Sequence, residues 1–319
     1  MTTTMKASTQ DPRYLGLLRS GILEQRVRLA NEHLQQCDLC ARYCRVNRQK
    51  TVEGAVCRTG ELAIVHSFSP HHGEEEPISG WAGSGAIFFG RCNLHCVFCQ
   101  NWETSQMGTG PIATPDEIAS MMMALQRLGC HNINLVSPSH VVAQIVSAVF
   151  LAAQRGLRLP LIYNTGGYDS HEALELLDGI IDIYMPDMKY GSSEASRRLS
   201  GVPNYTEVNR TAVREMHRQV GDLVLDDDGL ALRGLLVRHL VLPGDMAGSN
   251  DVLHFIAEEL SPRTYVNLMD QYYPWYRADD FAPMDRTLRR GEYCRALDMA
   301  ERHGLRRLDE HRERRRLGI

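Results

Sequence analysis

Six short apolar runs, separated by longer stretches of which several carry helical spacing, restrict what this chain can fold into. Residues 86–89, 132–136, 161–163, 180–185, 235–242 and 265–269 read as strands. Among the stretches between them, 115–128, 141–154 and 170–177 read as helices, the first with Thr114 as N-cap and Glu117 at the third helical position. Strands alternating with helices pair in parallel through right-handed crossovers. A partial (β/α)6 barrel and a doubly wound open sheet both satisfy the pattern, and periodicity does not separate them. In either architecture ligands bind beyond the carboxyl ends of the strands.

The rest of the chain is organised around that core. Apolar side chains at Leu15, Leu18, Ile22, Val27, Leu29 and Leu34 suggest one or two packed amino-terminal helices. A polar loop, residues 71–77, leads to Gly80, where a boundary is expected. The expected units are a helical, cysteine-rich extension over 1–79, a core over 80–285 and a charged helical tail over 286–319. Within that tail the Arg-rich segment 302–316 reads as a solvated helix laced with ion pairs. A formal net charge of -4 over 319 residues argues against a nucleic-acid surface. No long uncharged apolar run spans a membrane, and the first residues lack the apolar centre of a secretory signal. The expectation is a cytoplasmic protein.

Nine cysteines in such a chain point to metal or redox chemistry rather than disulfides. Cys92, Cys96 and Cys99, spaced C-x3-C-x2-C, put three soft thiolates in one loop directly after the first core strand. Iron–sulfur cubanes usually take four thiolates, so three leave one iron open to a non-protein ligand. Cys37, Cys40, Cys44 and Cys57 supply a complete set of four, suited to tetrahedral zinc or to an auxiliary iron–sulfur cluster. An element this small needs such a staple to hold its shape. Cys130 and Cys294 stand alone and read as buried structural thiols.

The three-cysteine loop resembles the signature of the radical S-adenosylmethionine (SAM) superfamily, with Phe98 as the aromatic residue before the last cysteine. From Gly85 to about Pro274 the chain is similar to the glycyl-radical-enzyme activases, typified by pyruvate formate-lyase activating enzyme. The stretch Cys92 to Asn101 carries the most specific part of that likeness. Asn164-Thr165-Gly166-Gly167 resembles the activase Asp-Thr-Asn-Gly motif, and Met185-x-Asp187-x-Lys189 its Met-x-Asp-x-Lys pattern. Arg238 followed by Val241-Leu242-Pro243-Gly244 resembles its fifth-strand segment. The best fit is the subgroup that resembles this activating enzyme and carries amino-terminal cysteines. Three places depart from the pattern. Ser137-Pro138-Ser139 stands where activases have Gly-Gly-Glu, Asn164 stands for the Asp, and Gln271-Tyr272-Tyr273 stands for Pro-Tyr-His.

The resemblance implies a partial (β/α)6 TIM-type barrel with a small metal-binding extension. It implies a [4Fe-4S] cluster on Cys92, Cys96 and Cys99 that passes one electron into SAM. The products are methionine and a 5′-deoxyadenosyl radical, which takes hydrogen from a substrate. Phe98, Asn101, Ser137, Asn164, Thr165 and Arg238 are the expected SAM-binding residues, with Asp187 and Lys189 the expected catalytic pair. A one-electron donor such as flavodoxin or ferredoxin is the implied partner. The substrate reading is open between a glycyl-radical enzyme and a small molecule or peptide. The alternative from another class is a zinc-binding interaction module without redox chemistry, which has no need of polar residues at successive strand ends.

Overall fold

A computed structural model of the protein describes residues 11–309. Helices α1 (Arg13–Arg19) and α2 (Ile22–Glu32) open the chain, as the apolar spacing anticipates. The cysteine-rich segment follows, and then β1 (Ala63–His71), a short helix α3 (Glu76–Ser79) and β2 (Ser84–Phe89). Next come β3 (Ile112–Ala113), α4 (Pro115–Arg127), β4 (Ile133–Val136), α5 (Val142–Gln154), β5 (Leu161–Thr165), α6 (His171–Leu177) and β6 (Ile183–Pro186). Helices α7 (Ser193–Ser200) and α8 (Tyr205–Val220) precede β7 (Val224–Leu225) and β8 (Ala231–Leu240). The described chain closes with α9 (Ser249–Phe255), β9 (Tyr265–Met269) and α10 (Arg290–Arg302).

Six strands pair in parallel in the order β2-β4-β5-β6-β8-β9. The order never reverses, which is TIM-type succession and not doubly wound topology. Among the described residues no ladder joins β9 to β2. Instead β1 pairs antiparallel with β2, so the sheet extends past its first parallel strand. Strand β1 lies before Gly80 in sequence, yet it is part of the same sheet as the core.

Side chains alternate across each strand as the pleat requires. Leu135, Tyr163, Tyr184, Val237 and Val266 enter the core beneath the helices. The opposite face holds Ile162, Ile183, Met185, Leu236 and Tyr265, packed with Ile78. Above that apolar floor lies a polar layer of Asn134, Asn164, Arg238 and Asn267. The polar loop of residues 71–77 inserts here. Glu74 accepts from Asn134 Nδ2 at 3.1 Å, and Glu75, 3% exposed, accepts from Asn267 Nδ2 at 2.8 Å. The largely enclosed Arg238, 18% exposed at its side chain, accounts for this, because a desolvated guanidinium needs carboxylates that a polar stretch can supply.

Capping is as the sequence suggests. Thr114 and Glu117 form a reciprocal capping box on α4, and Ser170 caps α6. Two expectations at the carboxyl end need correction. Helix α10 stops at Arg302, because Gly304 adopts the left-handed conformation that ends helices. Residues 305–309 then run beside β9, where Val266 N–H donates to Arg307 O at 2.9 Å and Asp309 N–H to Val266 O at 3.1 Å. The solvated helix expected over 302–316 is therefore absent from 303–309, and its remainder lies outside the described residues. Cys130 is buried as expected, but Cys294 is exposed on α10. No helix among the described residues is long and apolar enough to cross a membrane.

Candidate active site

Strand β2 delivers the chain into the thiol loop at the carboxyl edge of the sheet. Ser200 Oγ–H donates to Cys96 Sγ at 3.0 Å, Cys99 Sγ pairs with Ser105 Oγ at 3.1 Å, and Leu94 N–H donates to Cys92 Sγ at 3.4 Å. Asn93 fixes the loop by donating from Nδ2 to Tyr168 O at 2.7 Å, and Val97 N–H donates to Leu199 O at 2.9 Å. Burial pushes the Cys92 thiol up to about 12, with Cys96 and Cys99 adding to the rise. Cys96 is buried and Cys92 and Cys99 are half-buried, and thiols this close together bind as thiolates only beside a cationic partner. Iron would supply that partner, and the donor set fits a cluster held by three cysteines. Among the described residues no three His, Cys, Asp or Glu side chains converge as a ready mononuclear metal cage.

Facing the thiols is a charged group built from three strand ends. Asp187 receives Lys189 Nζ at 2.6 Å and Arg238 Nε at 3.1 Å. Arg238 also donates to Asn164 Oδ1 at 2.7 Å and pairs with Glu74 at 3.5 Å. Burial alone would raise the Asp187 carboxyl, but Lys189 and Arg238 outweigh it and hold the pKa below the usual value. On Lys189 burial opposes the charge, while Asp187 and then Cys96 restore it and raise the pKa. Asp187, Lys189 and Arg238 are thus all charged at neutral pH.

These groups line one cavity of about 270 Å3, close to the lower end of the ~300–1,000 Å3 common for small-molecule sites. Its wall brings together Cys92, Cys96, Cys99, Phe98, Asn101, Ser137, Asn164, Thr165, Asp187, Lys189 and Arg238, all anticipated from sequence. Gln271, Tyr272 and Tyr273 complete it. A larger recess of about 570 Å3, lined by Arg26, His33, His171, Glu175, Asp178 and Arg218 among others, holds no cysteine and shares no residue with the thiol cavity. Chemistry, not volume, selects the site.

Several residues play parts that spacing alone does not reveal. The Thr165 hydroxyl donates to Asp169 Oδ2 at 2.7 Å and lies 2.7 Å from Ser139 Oγ, so it organises the turn. Ser137 adopts φ 59°, an uncommon conformation for a residue other than glycine. Gly167 has φ 73°, and a Cβ there would strike the Asn209 side-chain amide and lie 2.5 Å from Asp187 O. Gly167→Ala is expected to cost at least about 2 kcal/mol, combining ~1–2 kcal/mol of left-handed strain with the clash. A denaturant midpoint within error of the parent would contradict this packing.

His140 lies under the site, fully enclosed. Its Nε2–H donates to Gly90 O at 2.9 Å, while Nδ1 has no partner among the described residues. Burial, followed by the nearby Arg48 charge, pushes its pKa down to about 3. The unfolded chain, with a histidine near 6.5, binds the proton first as pH falls. Stability is therefore complete above pH 6.5 and is lost from there toward pH 3, at about 1.4 kcal/mol per unit. At pH 5 the parent should have lost about 2 kcal/mol more, relative to pH 7, than His140→Gln. Equal losses in urea unfolding would refute the assignment.

The four amino-terminal cysteines also gather in space. Cys37, Cys40 and Cys57 are buried, Cys44 is half-buried, and Cys40 lies within electrostatic reach of the other three. Arg48 donates to Cys37 Sγ at 3.5 Å, and Val56 N–H to Cys44 Sγ at 3.5 Å. Their thiol chemistry suits a metal or an iron–sulfur cluster, although these four do not converge as a ready mononuclear cage either.

An open parallel sheet with three thiols at the first strand end and a charged wall opposite defines a class. Residues 86–224 match the Radical SAM superfamily model. Two proteins of Methanocaldococcus jannaschii are similar over most of their length. The uncharacterized protein MJ0674 is 29% identical over 91% of this chain and 82% of its own. The uncharacterized protein MJ0808 is 23% identical over 78% of this chain and 73% of its own.

Proposed function

We propose that this chain is a radical SAM enzyme that generates a 5′-deoxyadenosyl radical and takes hydrogen from a substrate. The observation that carries the reading is the single cavity shared by Cys92, Cys96, Cys99 and the Asp187–Lys189–Arg238 group. With its cluster and SAM bound, the site supplies one-electron cleavage of a sulfonium C–S bond. The chain's own residues do the holding. Cys92, Cys96 and Cys99 bind iron. Phe98, in edge contact with Tyr272 at 5.9 Å and Tyr190 at 6.5 Å, forms an aromatic wall for the adenosine part. Asn101, Ser137, Asn164 and Thr165 line the remaining surface, and Arg238 and Lys189 offer cationic donors to a carboxylate. Asp187 keeps both cations in place. Enclosure by aromatic and apolar side chains excludes water and stray hydrogen donors.

The likeness to glycyl-radical activases, over residues Cys92–Asn101 and Met185–Lys189, supports a glycyl-radical enzyme as substrate. The Gln271-Tyr272-Tyr273 departure favours a different molecule, a small metabolite or peptide. Flavodoxin or ferredoxin is the proposed electron source, and Cys37, Cys40, Cys44 and Cys57 a second metal site. The test is anaerobic reconstitution, reduction and addition of SAM, with 5′-deoxyadenosine as readout. Formation of 5′-deoxyadenosine without any candidate substrate supports the cleavage step, and its absence from a fully loaded cluster protein rejects it. A glycyl-radical enzyme as substrate predicts a stable protein radical when both proteins are mixed.

A further inference from the structure

The four-cysteine segment is joined to the active-site loop by two separate hydrogen-bonded links, one ending at Asn93 and the other at Gly90, two residues before Cys92. On the first, Arg42, between Cys40 and Cys44, donates from Nε to Asn93 O at 2.7 Å. Ala41 N–H reaches Tyr168 O at 3.5 Å, the carbonyl that also accepts from Asn93. Ala41 packs in the same apolar cluster as Leu94, Cys96 and Phe98. On the second, Arg48 donates to Cys37 Sγ at 3.5 Å and to His140 O at 2.8 Å, and His140 Nε2–H donates to Gly90 O. A metal that merely staples a small loop has no need of contacts on both flanks of a catalytic ligand. Electron transfer does need them, because its rate falls steeply with distance and follows covalent and hydrogen-bonded contacts.

The charge around the segment points to the donor. Between residues 42 and 58 stand Arg42, Arg45, Arg48, Lys50 and Arg58 against the single acid Glu53, in a chain whose net charge is -4. Arg45, Lys50 and Arg58 are exposed, as is Tyr43 beside the half-buried Cys44. Arg45 is paired with Asp38 at 2.7 Å and Tyr43 donates to Glu172 at 2.9 Å, so the exposed excess of positive charge in the segment rests on Lys50 and Arg58, and it suits an acidic partner.

We infer that Cys37, Cys40, Cys44 and Cys57 hold a second iron–sulfur cluster that serves as the electron port of the enzyme. An acidic, low-potential one-electron donor protein docks on this exposed basic segment, at Lys50 and Arg58, and loses one electron to this cluster. The cluster returns to its oxidised state as it passes that electron to the cluster on Cys92, Cys96 and Cys99. The inference rests on the radical SAM reading of that second set of thiols.

The test uses the full chain reconstituted anaerobically with iron and sulfide. About eight irons and no zinc are expected per chain, two four-iron clusters, with a reduced spectrum showing magnetic interaction between them. Cys40→Ser/Cys57→Ser should retain about four irons and the signal that shifts with SAM. Lys50→Glu/Arg58→Glu, confined to exposed side chains, should lower the ratio of flavodoxin-driven to dithionite-driven SAM cleavage about tenfold at low salt. About four irons with one zinc in the parent would overturn the relay alone, as would an unchanged driving ratio. Loss of any SAM response in the parent would overturn the underlying reading, and the relay with it.

Discussion

Asp187→Asn is expected to destabilise the protein by about 3–5 kcal/mol, the cost of leaving buried charges without their partner. The carboxylate is the shared counter-ion of Lys189, at 2.6 Å, and Arg238, at 3.1 Å. All three side chains are at most one-fifth exposed, so solvent screens the pairs weakly. Asparagine keeps the shape and removes the charge, leaving two cations facing each other. Glu74 relieves only Arg238, and from 3.5 Å. The double variant Asp187→Asn/Lys189→Met should recover part of the loss, because one orphaned charge goes with it. Guanidinium unfolding of the four proteins in the cycle measures the coupling. A loss below about 1 kcal/mol for the single variant would mean that the group is solvated like a surface ion pair.

Cys99→Ala is expected to abolish SAM cleavage and to remove the iron of the active-site cluster. Alanine leaves two protein ligands where three are needed, a deficit no neighbour supplies. The hydroxyls behind the thiols should matter less. Ser105→Ala and Ser200→Ala delete the contacts to Cys99 and Cys96 and are expected to lower cluster retention or cleavage about 10–100-fold. Iron analysis beside a 5′-deoxyadenosine assay separates the two classes. Equal losses in the alanine series would show that the serines are ligand-grade groups. An active Cys99→Ala protein would remove the cluster loop from the mechanism.

The parallel core was legible because each of its strands is a short apolar run bounded by turn residues, and six of them recur in order. The candidate site was legible for a related reason. Its polar residues stand at the ends of those runs, where the fold collects them. What escaped was whatever depends on contact between distant segments. Strand β1 carries Ser67, Ser69 and Pro70 and lies half-exposed, so it lacks the apolar run that marks the others. Glu74 and Glu75 sit in a polar stretch, and only the largely enclosed position of Arg238 explains their burial. Asn93, Tyr168 and Ser200 shape the thiol loop through a hydrogen bond each, and nothing in their local spacing announces it. Thr165 was singled out, but its hydroxyl turns to Asp169, a partner four residues on that the motif does not contain.

The most direct test of the account is paramagnetic resonance of the dithionite-reduced, reconstituted protein before and after addition of SAM. A reduced-cluster signal that shifts with SAM, accompanied by 5′-deoxyadenosine, is the predicted result. A colourless protein holding only zinc after anaerobic reconstitution, or a cluster signal that SAM leaves unmoved, would contradict it.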